Sequence, residues 1–511
     1  MGTPVKYSLG QIRYNNRTSN TNKDARLKNC YIQQQKVPGL DGKDEIQSYI
    51  VKRPGITTWG DGTAITTGKP IGLQYYRNSS NDPGIWAVFD NTDAVIYFVP
   101  SDASATDVTG LFVTTANTTL PISWAPVLSE GRLYFHDHAN LYTSDGTTNA
   151  VTQITDADLP TAVYISGLVS LDSYLFIGKV SGGRIYNSDL NTGLSWTSGN
   201  FLTDQSSGDT FAYVGAIIGY KNYLISFKQN SINFFYDAAN AAGSPLAVVE
   251  GARKSISCFH QRSIAQAEDI IVFAAKSTSG KIQIVALDGL TIKPISDPFN
   301  EKLLESISGT AVSDLFMGEL IRIDGNILYL FNITNTAGGS VLVFDIGQKQ
   351  MYEWQSSLVS ETNASQLGLR HFIYNIDKNK ILACATYTGH TGKIYELTTS
   401  VYQDISTAIN FEVVTPNLDF STNKKKFMTR LTVIGDEQTS TSNMTIEWSD
   451  DDYQTWSTAR TVDLSKSNPT IYNLGSFVKR AFRLKSTANT PIRLESLEFD
   501  IELGDYVGGN V

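Results

Sequence analysis

The sequence predicts an all-β protein: a six- or seven-bladed β-propeller with an additional C-terminal antiparallel β-sandwich domain and an extended N-terminal arm. Three observations predict this fold. The 511 residues are rich in Gly (40), Tyr (25) and Phe (23), which strands and tight turns favour. Strand–turn–strand units recur along the middle of the chain. Near Thr398 they give way to longer strands in which apolar and polar residues alternate.

The recurring unit is an apolar strand, a polar turn and a second apolar strand, as in "GRLYFHDHANLYTSDG". Its first strand contains, in successive units, Trp86, Leu133, Tyr174, Tyr223, Ile270, Leu328 and Ile381, which are 47, 41, 49, 47, 58 and 53 residues apart. A four-stranded propeller blade takes roughly 40 to 50 residues. A lone hairpin cannot bury its apolar face, whereas small sheets stacked around an axis bury both faces. A pair of β-sandwich domains is the alternative, and it would give similar hairpins without the regular spacing.

These patterns divide the chain into three parts. Residues 1–70 are an N-terminal arm that enters or closes the propeller, because runs such as "RYNNRTSNTNKDARLKN" are too polar for a core of their own. Residues 71–400 are the propeller, and residues 401–511 are the sandwich. One helix is predicted in this β context at "DPFNEKLLESIS", where Asp297 caps the N-terminus and Pro298 takes the first helical position.

The overall charge argues against binding nucleic acid through a cationic field. The chain has 41 Lys and Arg against 50 Asp and Glu, which gives a net charge of −9. Cys30, Cys258 and Cys384 are odd in number and far apart, which predicts buried thiols in a reducing compartment. We expect neither a signal peptide nor a membrane span, since "MGTPVKYSLG" lacks an apolar core and no run of about 18 apolar residues occurs.

The segment "WSDDDYQTWS" places three aspartates between two tryptophans. Ser449, Asp451, Thr455 and Trp456 approximate the Asp-box turn of sialidases and related propellers, although Tyr453 stands where that motif has glycine. In such a turn the aspartate accepts backbone N–H bonds and the tryptophan packs beneath it, so the element is structural. A calcium loop would need carboxylates at alternate positions and a distal glutamate, which is missing at that spacing.

Basic residues cluster in two segments of the predicted sandwich. They are Lys424, Lys425, Lys426 and Arg430 in the first segment, and Lys479, Arg480, Arg483 and Lys485 in the second. Brought together by the sheet, these side chains could contact an acidic partner or a phosphate backbone. Solvated strand faces are the alternative interpretation.

The sequence predicts no catalytic, metal or cofactor site. His136 and His138 alternate on a strand and could supply two metal ligands, but a third ligand is not identifiable. The phosphate-binding patterns G-x-x-x-x-G-K-[ST] and G-x-G-x-x-G are both missing. A sialidase would need a tyrosine nucleophile, an acid partner and an arginine cluster, and the one Asp-box-like segment lies outside the predicted propeller.

Three stretches resemble the tail hub, or nozzle, proteins of short-tailed bacteriophages, also known as packaged-DNA stabilisation proteins. The first is "GYKNYLISFKQNSINFFYDAANAAGSPLAVVEGARKSISCF", where Ser231 and Ile232 lead into an aromatic strand and a Gly-Ser-Pro loop follows. Asn233 stands where relatives often have glutamate. The second stretch is "KRPGI", and the third is the end of the chain, with "SDDDYQTWS", "FVKRAFRLKS" and "PIRLESLEFDIEL" in that order.

The resemblance implies a structural protein of the virion tail of a podovirus-type phage, assembled in the host bacterial cytoplasm. Such hubs form a homo-hexameric ring below the portal and the adaptor (head-to-tail connector) proteins, extend the DNA channel and help retain the packaged genome. They pass double-stranded DNA without sequence specificity at ejection, and they dock tail fibres or tailspikes and a plug or needle protein. No enzymatic activity and no cofactor are expected.

The charge of the chain is compatible with a conduit. Six copies at −9 each would carry −54, and an acidic lumen would repel phosphate so that DNA slides. The alternative function is a sialidase-like or other glycan-active or glycan-binding β-propeller. Such a protein would hold converging Glu or Asp, Tyr and Arg side chains at the propeller axis of one subunit.

Overall fold

The computed structural model describes most of the chain. The described residues are 3–13, 25–38, 44–60, 68–77, 83–91, 93–100, 106–107, 122–127, 129–144, 150–160, 165–179, 183–204, 216–228, 230–267, 269–276, 280–305, 316–333, 341–358, 367–386, 390 and 392–506. Across these ranges the regular structure is strand, apart from one α-helix and two short 3-10 helices. The prediction of an all-β fold is confirmed.

The N-terminal segment contributes strands to more than one sheet. Its elements are β1 (Thr3–Ser8), a 3-10 turn (Leu9–Gln11), β2 (Arg26–Lys28), β3 (Cys30–Pro38), β4 (Asp44–Lys52) and β5 (Gly55–Thr58). β3 and β4 pair along their whole length as an antiparallel hairpin. The base of this hairpin is apolar and buried, with Tyr31 and Ile32 in the largest core cluster.

Seven small antiparallel groups of strands follow in the described part of the chain, and each is one blade of a propeller. Five of these blades are separate sheets, and the sixth and seventh belong to larger sheets. Blade one contains β6 (Lys69–Arg77), β7 (Pro83–Asn91), β8 (Asp93–Pro100) and β9 (Thr106–Asp107). Blade two contains β10 (Trp124–Val127), β11 (Arg132–His136), β12 (Leu141–Ser144) and β13 (Val151–Gln153). Blade three contains β14 (Ile165–Leu171), β15 (Tyr174–Lys179), β16 (Arg184–Ser188) and β17 (Trp196–Thr203). Blade four contains β18 (Ala216–Tyr220), β19 (Tyr223–Phe227), β20 (Ile232–Asp237) and β21 (Leu246–Val248).

The last three blades include the predicted helix. Blade five contains β22 (Ser257–Cys258), a 3-10 turn (Gln261–Ser263), β23 (Ala265–Ala267), β24 (Ile270–Lys276), β25 (Ile282–Asp288) and β26 (Thr291–Pro294). The helix α1 (Pro298–Glu305) comes next, and the Asp297 carboxylate accepts a hydrogen bond from the Asn300 N–H at 2.9 Å, as the predicted cap requires. Blade six contains β27 (Phe316–Ile323), β28 (Asn326–Ile333), β29 (Val341–Asp345) and β30 (Gln350–Trp354). Blade seven contains β31 (Leu369–Asn375), β32 (Lys380–Ala385) and β33 (Ile394–Thr398).

The blades close into a ring. β5 from the N-terminal segment pairs with β33 as the fourth strand of blade seven. Apolar clusters fill each junction between neighbouring blades. At the junction of the first and last blades, Phe89 and Ile85 pack with Leu382. Each such fully buried side chain stabilises the fold by about 1.5–3 kcal/mol. The seven sequence units therefore correspond to seven blades of a β-propeller.

The C-terminal residues form a β-sandwich together with the N-terminal strands. The remaining strands are β34 (Gln403–Asp404), β35 (Thr407–Ala408), β36 (Phe411–Val414), β37 (Lys424–Gly435), β38 (Asn443–Ser449), β39 (Arg460–Asp463), β40 (Thr470–Phe477), β41 (Ala481–Ser486) and β42 (Arg493–Tyr506). One sheet has the order β3-β4-β42-β37-β40, with β1 also paired to β42. The other sheet contains β36, β41, β38 and β39. Phe482 and Phe499 stack between the two sheets with their ring centroids 5.2 Å apart.

A single nine-stranded sheet joins the propeller to the sandwich. Its order is β27-β28-β29-β30-β2-β36-β41-β38-β39. β2 lies in the middle, where Lys28 pairs with Glu353 of blade six and Leu27 pairs with Val413 of the sandwich. Three residues of the N-terminal segment thus complete a continuous backbone ladder between the two domains.

Candidate functional site

A cavity of about 280 Å³ lies on the propeller axis, where the innermost strands of the blades converge. Residues from all seven blades line it. Its polar side chains are Ser123, Ser166, Gln261, Arg262, Gln266, Glu319 and His371. Trp124, Ile217 and Leu320 are among the apolar side chains that complete the wall. The cavity therefore offers hydrogen-bond donors, hydrogen-bond acceptors and apolar surface within one space.

Glu319 is the carboxylate of this cavity. It lies on the innermost strand of blade six, and its Oε1 accepts a hydrogen bond from the His371 N–H of blade seven at 2.9 Å. Burial raises the pKa of Glu319 to about 7, against the opposing effects of backbone hydrogen bonds from His371 and Phe372 and the charge of Arg370. The carboxyl group therefore changes its protonation state near neutral pH.

His371 connects three blades at the axis. Its backbone has a φ of 57°, inside an irregularity where β31 shifts register against β32, and this turns its N–H toward Glu319. Its Nε2 lies 3.3 Å from the backbone oxygen of Pro70 in blade one. Burial, followed by the charges of Arg370 and Arg262, lowers the pKa of His371 to about 3, so the ring is neutral at pH 7.

Sequence reasoning did not single out Glu319 or Arg262. Glu319 could have been noticed in the sequence, because it is an acidic residue within the apolar strand "FMGELIRI". His371 carried no signal, because an isolated histidine in a strand is common. The meeting of these side chains follows from ring closure, which brings innermost strands far apart in sequence to one axis.

The first predicted basic segment lies at the start of β37. Lys426 is buried, and its Nζ donates to the backbone oxygens of Thr422, Lys424 and Val478 at 2.6, 2.9 and 2.7 Å. Lys425 is exposed and lies 5.6 Å from the centroid of the Phe427 ring. The buried ammonium group of Lys426 closes the loop before β37, so its hydrogen bonds are structural.

Arg480 of the second segment approaches the first one. Its guanidinium group makes a bidentate ion pair with Asp450, with both N–O distances at 2.7 Å, and it lies 4.2 Å from the centroid of the Phe477 ring. Lys426 lies 5.8 Å from the same ring centroid. The sandwich thus brings Lys426 and Arg480 together around Phe477.

Four more basic residues of the prediction lie near carboxylates of the same chain: Arg430, Lys479, Arg483 and Lys485. Arg430 Nη2 lies 2.9 Å from Glu498, and its Nε lies 2.9 Å from Asp500. Glu447 is shared by Arg483 at 2.7 Å and Lys485 at 3.0 Å, and Asp452 lies 3.8 Å from Lys479. The contact of these residues with an acidic partner or a phosphate backbone stays a prediction.

The Asp-box-like segment forms a compact turn around Asp451. The Asp451 carboxylate accepts hydrogen bonds from the backbone N–H groups of Gln454 and Thr455 and from the hydroxyls of Ser449 and Thr455. The Thr455 hydroxyl is the largest cause that lowers the pKa of Asp451 to about 2. Tyr453 has a φ of 65°, the left-handed conformation that explains glycine at this position of the sialidase motif.

Trp456 completes this turn from the side. It packs with Val414 and Ala481, and the Arg483 guanidinium lies 4.1 Å from the centroid of its ring. The segment therefore ties the turn after β38 to β36 and β41. Its geometry is that of a folding element.

The two histidines of "FHDHAN" are both buried. His136 ends β11, and His138 lies in the following turn with a φ of 73°. Their rings meet edge to face with centroids 4.7 Å apart, and His136 Nδ1 accepts a hydrogen bond from the His138 N–H. Burial and the neighbouring His138 lower the pKa of His136, so it is neutral. No group of three metal-ligating side chains occurs in the described ranges, and no helix there could span a membrane.

The propeller residues match a known protein family. A family model described as "Bacteriophage P22 Gp10, beta-propeller" matches residues 42–400. The chain belongs to this family. It is therefore a bacteriophage structural protein and a component of the virion. The match covers all seven blades and strand β5, which closes the ring.

Several solved structures are similar to the chain at low identity. The WD40 β-propeller domain of Doa1 is similar over 68% of this chain and 98% of its own, with 9% identity and a TM-score of 0.36. YCF48 bound to D1 peptide is similar over 70% and 100%, with 11% identity and a TM-score of 0.36. An ancestral GH74 enzyme is similar over 75% and 53%, with 8% identity and a TM-score of 0.41. These likenesses carry no argument about fold or function, and no curated protein matches the sequence.

Proposed function

We propose that this member of the P22 Gp10 propeller family is a tail hub, or nozzle, subunit of a short-tailed phage. Family membership supports a structural role in the virion. The observation that carries the hub role is the nine-stranded sheet that runs from blade six through β2 into the sandwich. Force between the two domains would act along a continuous hydrogen-bonded ladder, and such a unit suits a ring that holds a pressurised genome.

In this proposal DNA runs between subunits and not through one propeller. The axial cavity has a volume of only about 280 Å³ and is lined by residues from all seven blades. The major groove of a DNA duplex alone is about 12 Å wide. The channel is therefore the lumen of a homo-hexameric ring, and an acidic lumen surface lets the duplex slide without sequence specificity.

The partners follow from this position in the tail. The adaptor proteins bind the hub on the side of the head, and tail fibres or tailspikes and a plug or needle protein bind it further out. The exposed side chain of Lys425 is a candidate contact for an acidic partner. Arg430, Arg480 and Arg483, in contrast, already form ion pairs with carboxylates of the same chain. The hub is assembled in the host cytoplasm before it joins the virion tail.

The proposal includes the absence of enzymatic activity. Glycoside hydrolysis usually needs two carboxyl groups about 5 to 9.5 Å apart. Among the described residues that line the axial cavity, Glu319 supplies one carboxylate, and neither a tyrosine nor an aspartate stands beside it. This composition favours a structural role over the sialidase-like alternative.

Light scattering coupled to gel filtration tests the proposal. The purified chain is measured alone and after mixing with its adaptor ring. We expect the mixture to contain six copies of the 56.1-kDa chain for each adaptor ring. A chain that stays monomeric with the adaptor and releases sugars from host surface glycans would contradict the hub and support the alternative.

A further inference from the structure

The axial cavity combines features that a passive core does not need. The Glu319 carboxylate lines the cavity and retains acceptor capacity beyond its backbone contacts. Gln261 and Gln266 add amide groups to the same wall. A ligand with several hydroxyl groups would hydrogen-bond to all three side chains.

We propose that the axial cavity binds a single sugar ring. Each sugar hydroxyl both donates and accepts a hydrogen bond, which matches a wall that mixes the Glu319 carboxylate, the Arg262 guanidinium and the amides of Gln261 and Gln266. The apolar C–H face of a sugar packs on an indole ring, and Trp124 supplies one in the same wall.

The size of the cavity limits the ligand to one ring. Its volume of about 280 Å³ lies at the lower end of the range of roughly 300 to 1,000 Å³ that small-molecule sites occupy. The sugar is therefore either a free monosaccharide or the terminal residue of a surface glycan. This site does not depend on the hexameric ring, so it can be tested on the isolated full-length chain.

Saturation-transfer NMR on the full-length protein tests this inference. The probes are D-glucose, D-galactose and N-acetyl-D-glucosamine, and we expect at least one of them to give a saturable signal. The methyl glycoside of the binding sugar distinguishes the two sources: equal binding indicates the end of a glycan, and lost binding indicates a free monosaccharide. Both results support the site.

Two variants assign the signal to the cavity. Trp124→Leu removes the stacking surface and should weaken binding by roughly tenfold, the equivalent of about 1.4 kcal/mol. Glu319→Gln removes the charged acceptor and should weaken binding several-fold, while glutamine keeps an acceptor for the His371 N–H. Tyr236→Ala is the control, since this exposed aromatic residue lies outside the cavity lining.

Three results would overturn the inference. The first is the lack of a saturable signal with all three sugars. The second is an unchanged signal in both cavity variants, which would place binding elsewhere. The third is displacement of the sugar by inorganic phosphate, which would mark an anion site built on Arg262.

Discussion

The guanidinium group of Arg53 and the carboxylate of Asp404 form a bidentate ion pair, with Nη1–Oδ1 at 2.9 Å and Nη2–Oδ2 at 2.6 Å. Neither side chain is exposed to solvent. Arg53 also donates from Nε to the Asn29 side chain and from Nη2 to the backbone oxygen of Gln355. One arginine thus ties the segment between β4 and β5 to the end of blade six and to strand β34.

Breaking this pair should destabilise the chain strongly. We expect Asp404→Asn to lower the free energy of unfolding by about 3–5 kcal/mol, because it leaves a buried guanidinium without its counter-charge. Urea unfolding followed by tryptophan fluorescence measures the loss. Lys293→Met is the matched control, since its pair with Asp288 is more than half exposed on both sides and should contribute little. Equal losses in the two variants would show that burial of the Arg53 pair has no special role.

Gly318 provides a test of packing at the axis. A Cβ at this position would overlap the backbone oxygen of Ser263 and the Tyr329 hydroxyl, which are joined by a hydrogen bond of 2.6 Å. Gly318→Ala should therefore lower the free energy of unfolding by about 1–3 kcal/mol. Gly199→Ala is the control, because a Cβ there meets no atom within 4 Å. Similar unfolding curves for both variants would mean that the innermost strand of blade six can shift to accept the methyl group.

The sequence was sufficient to predict the blades, because each is a local unit. All seven apolar positions used for the spacing lie on the second strand of a blade, as Trp86 on β7 and Ile381 on β32 illustrate. The turn at "WSDDDYQTWS" was predictable for the same reason. Its side-chain acceptor, Asp451, lies within four residues of the groups that donate to it.

Contacts between distant segments could not be predicted in this way. β1 pairs with β42 at the other end of the chain, and Arg53 meets Asp404, which is 351 positions away. Apolar periodicity gives the buried face of a strand but not its neighbour. The basic segments show the same limit: their charge was evident, whereas the pairing of Arg480 with Asp450 depends on the fold.

Asp451 should stabilise the sandwich through its hydrogen bonds. Asp451→Ala removes the acceptor for Ser449, Gln454 and Thr455, so we expect a lower melting temperature than for Glu437→Ala, a change at an exposed residue of the same domain. The pKa of Asp451 is lowered from 3.8 to about 2, so its contribution is present above 3.8 and is lost as the pH falls toward 2. The difference between wild type and variant should therefore shrink in acid. A difference that persists there would assign the effect to packing.

Glu319 should make the chain less stable as the pH rises toward neutrality. Burial raises the pKa of Glu319 from 4.5 to about 7, so between these values the native protein holds a proton that the unfolded chain has released. Stability therefore falls with rising pH through this window. His371 faces the same carboxylate but has its pKa lowered to about 3, so it stays neutral throughout.

Glu319→Gln isolates this effect, because glutamine keeps an acceptor for the His371 N–H and does not titrate. From about pH 4 to about pH 8 we expect the variant to gain up to about 3 kcal/mol in unfolding free energy relative to wild type. Urea unfolding at several pH values measures the gain, with Glu437→Gln as the exposed control. If wild type instead gains on the variant as the pH rises, the charge of Arg370 outweighs burial at the axis, and the ionised carboxylate is the form that the propeller stabilises.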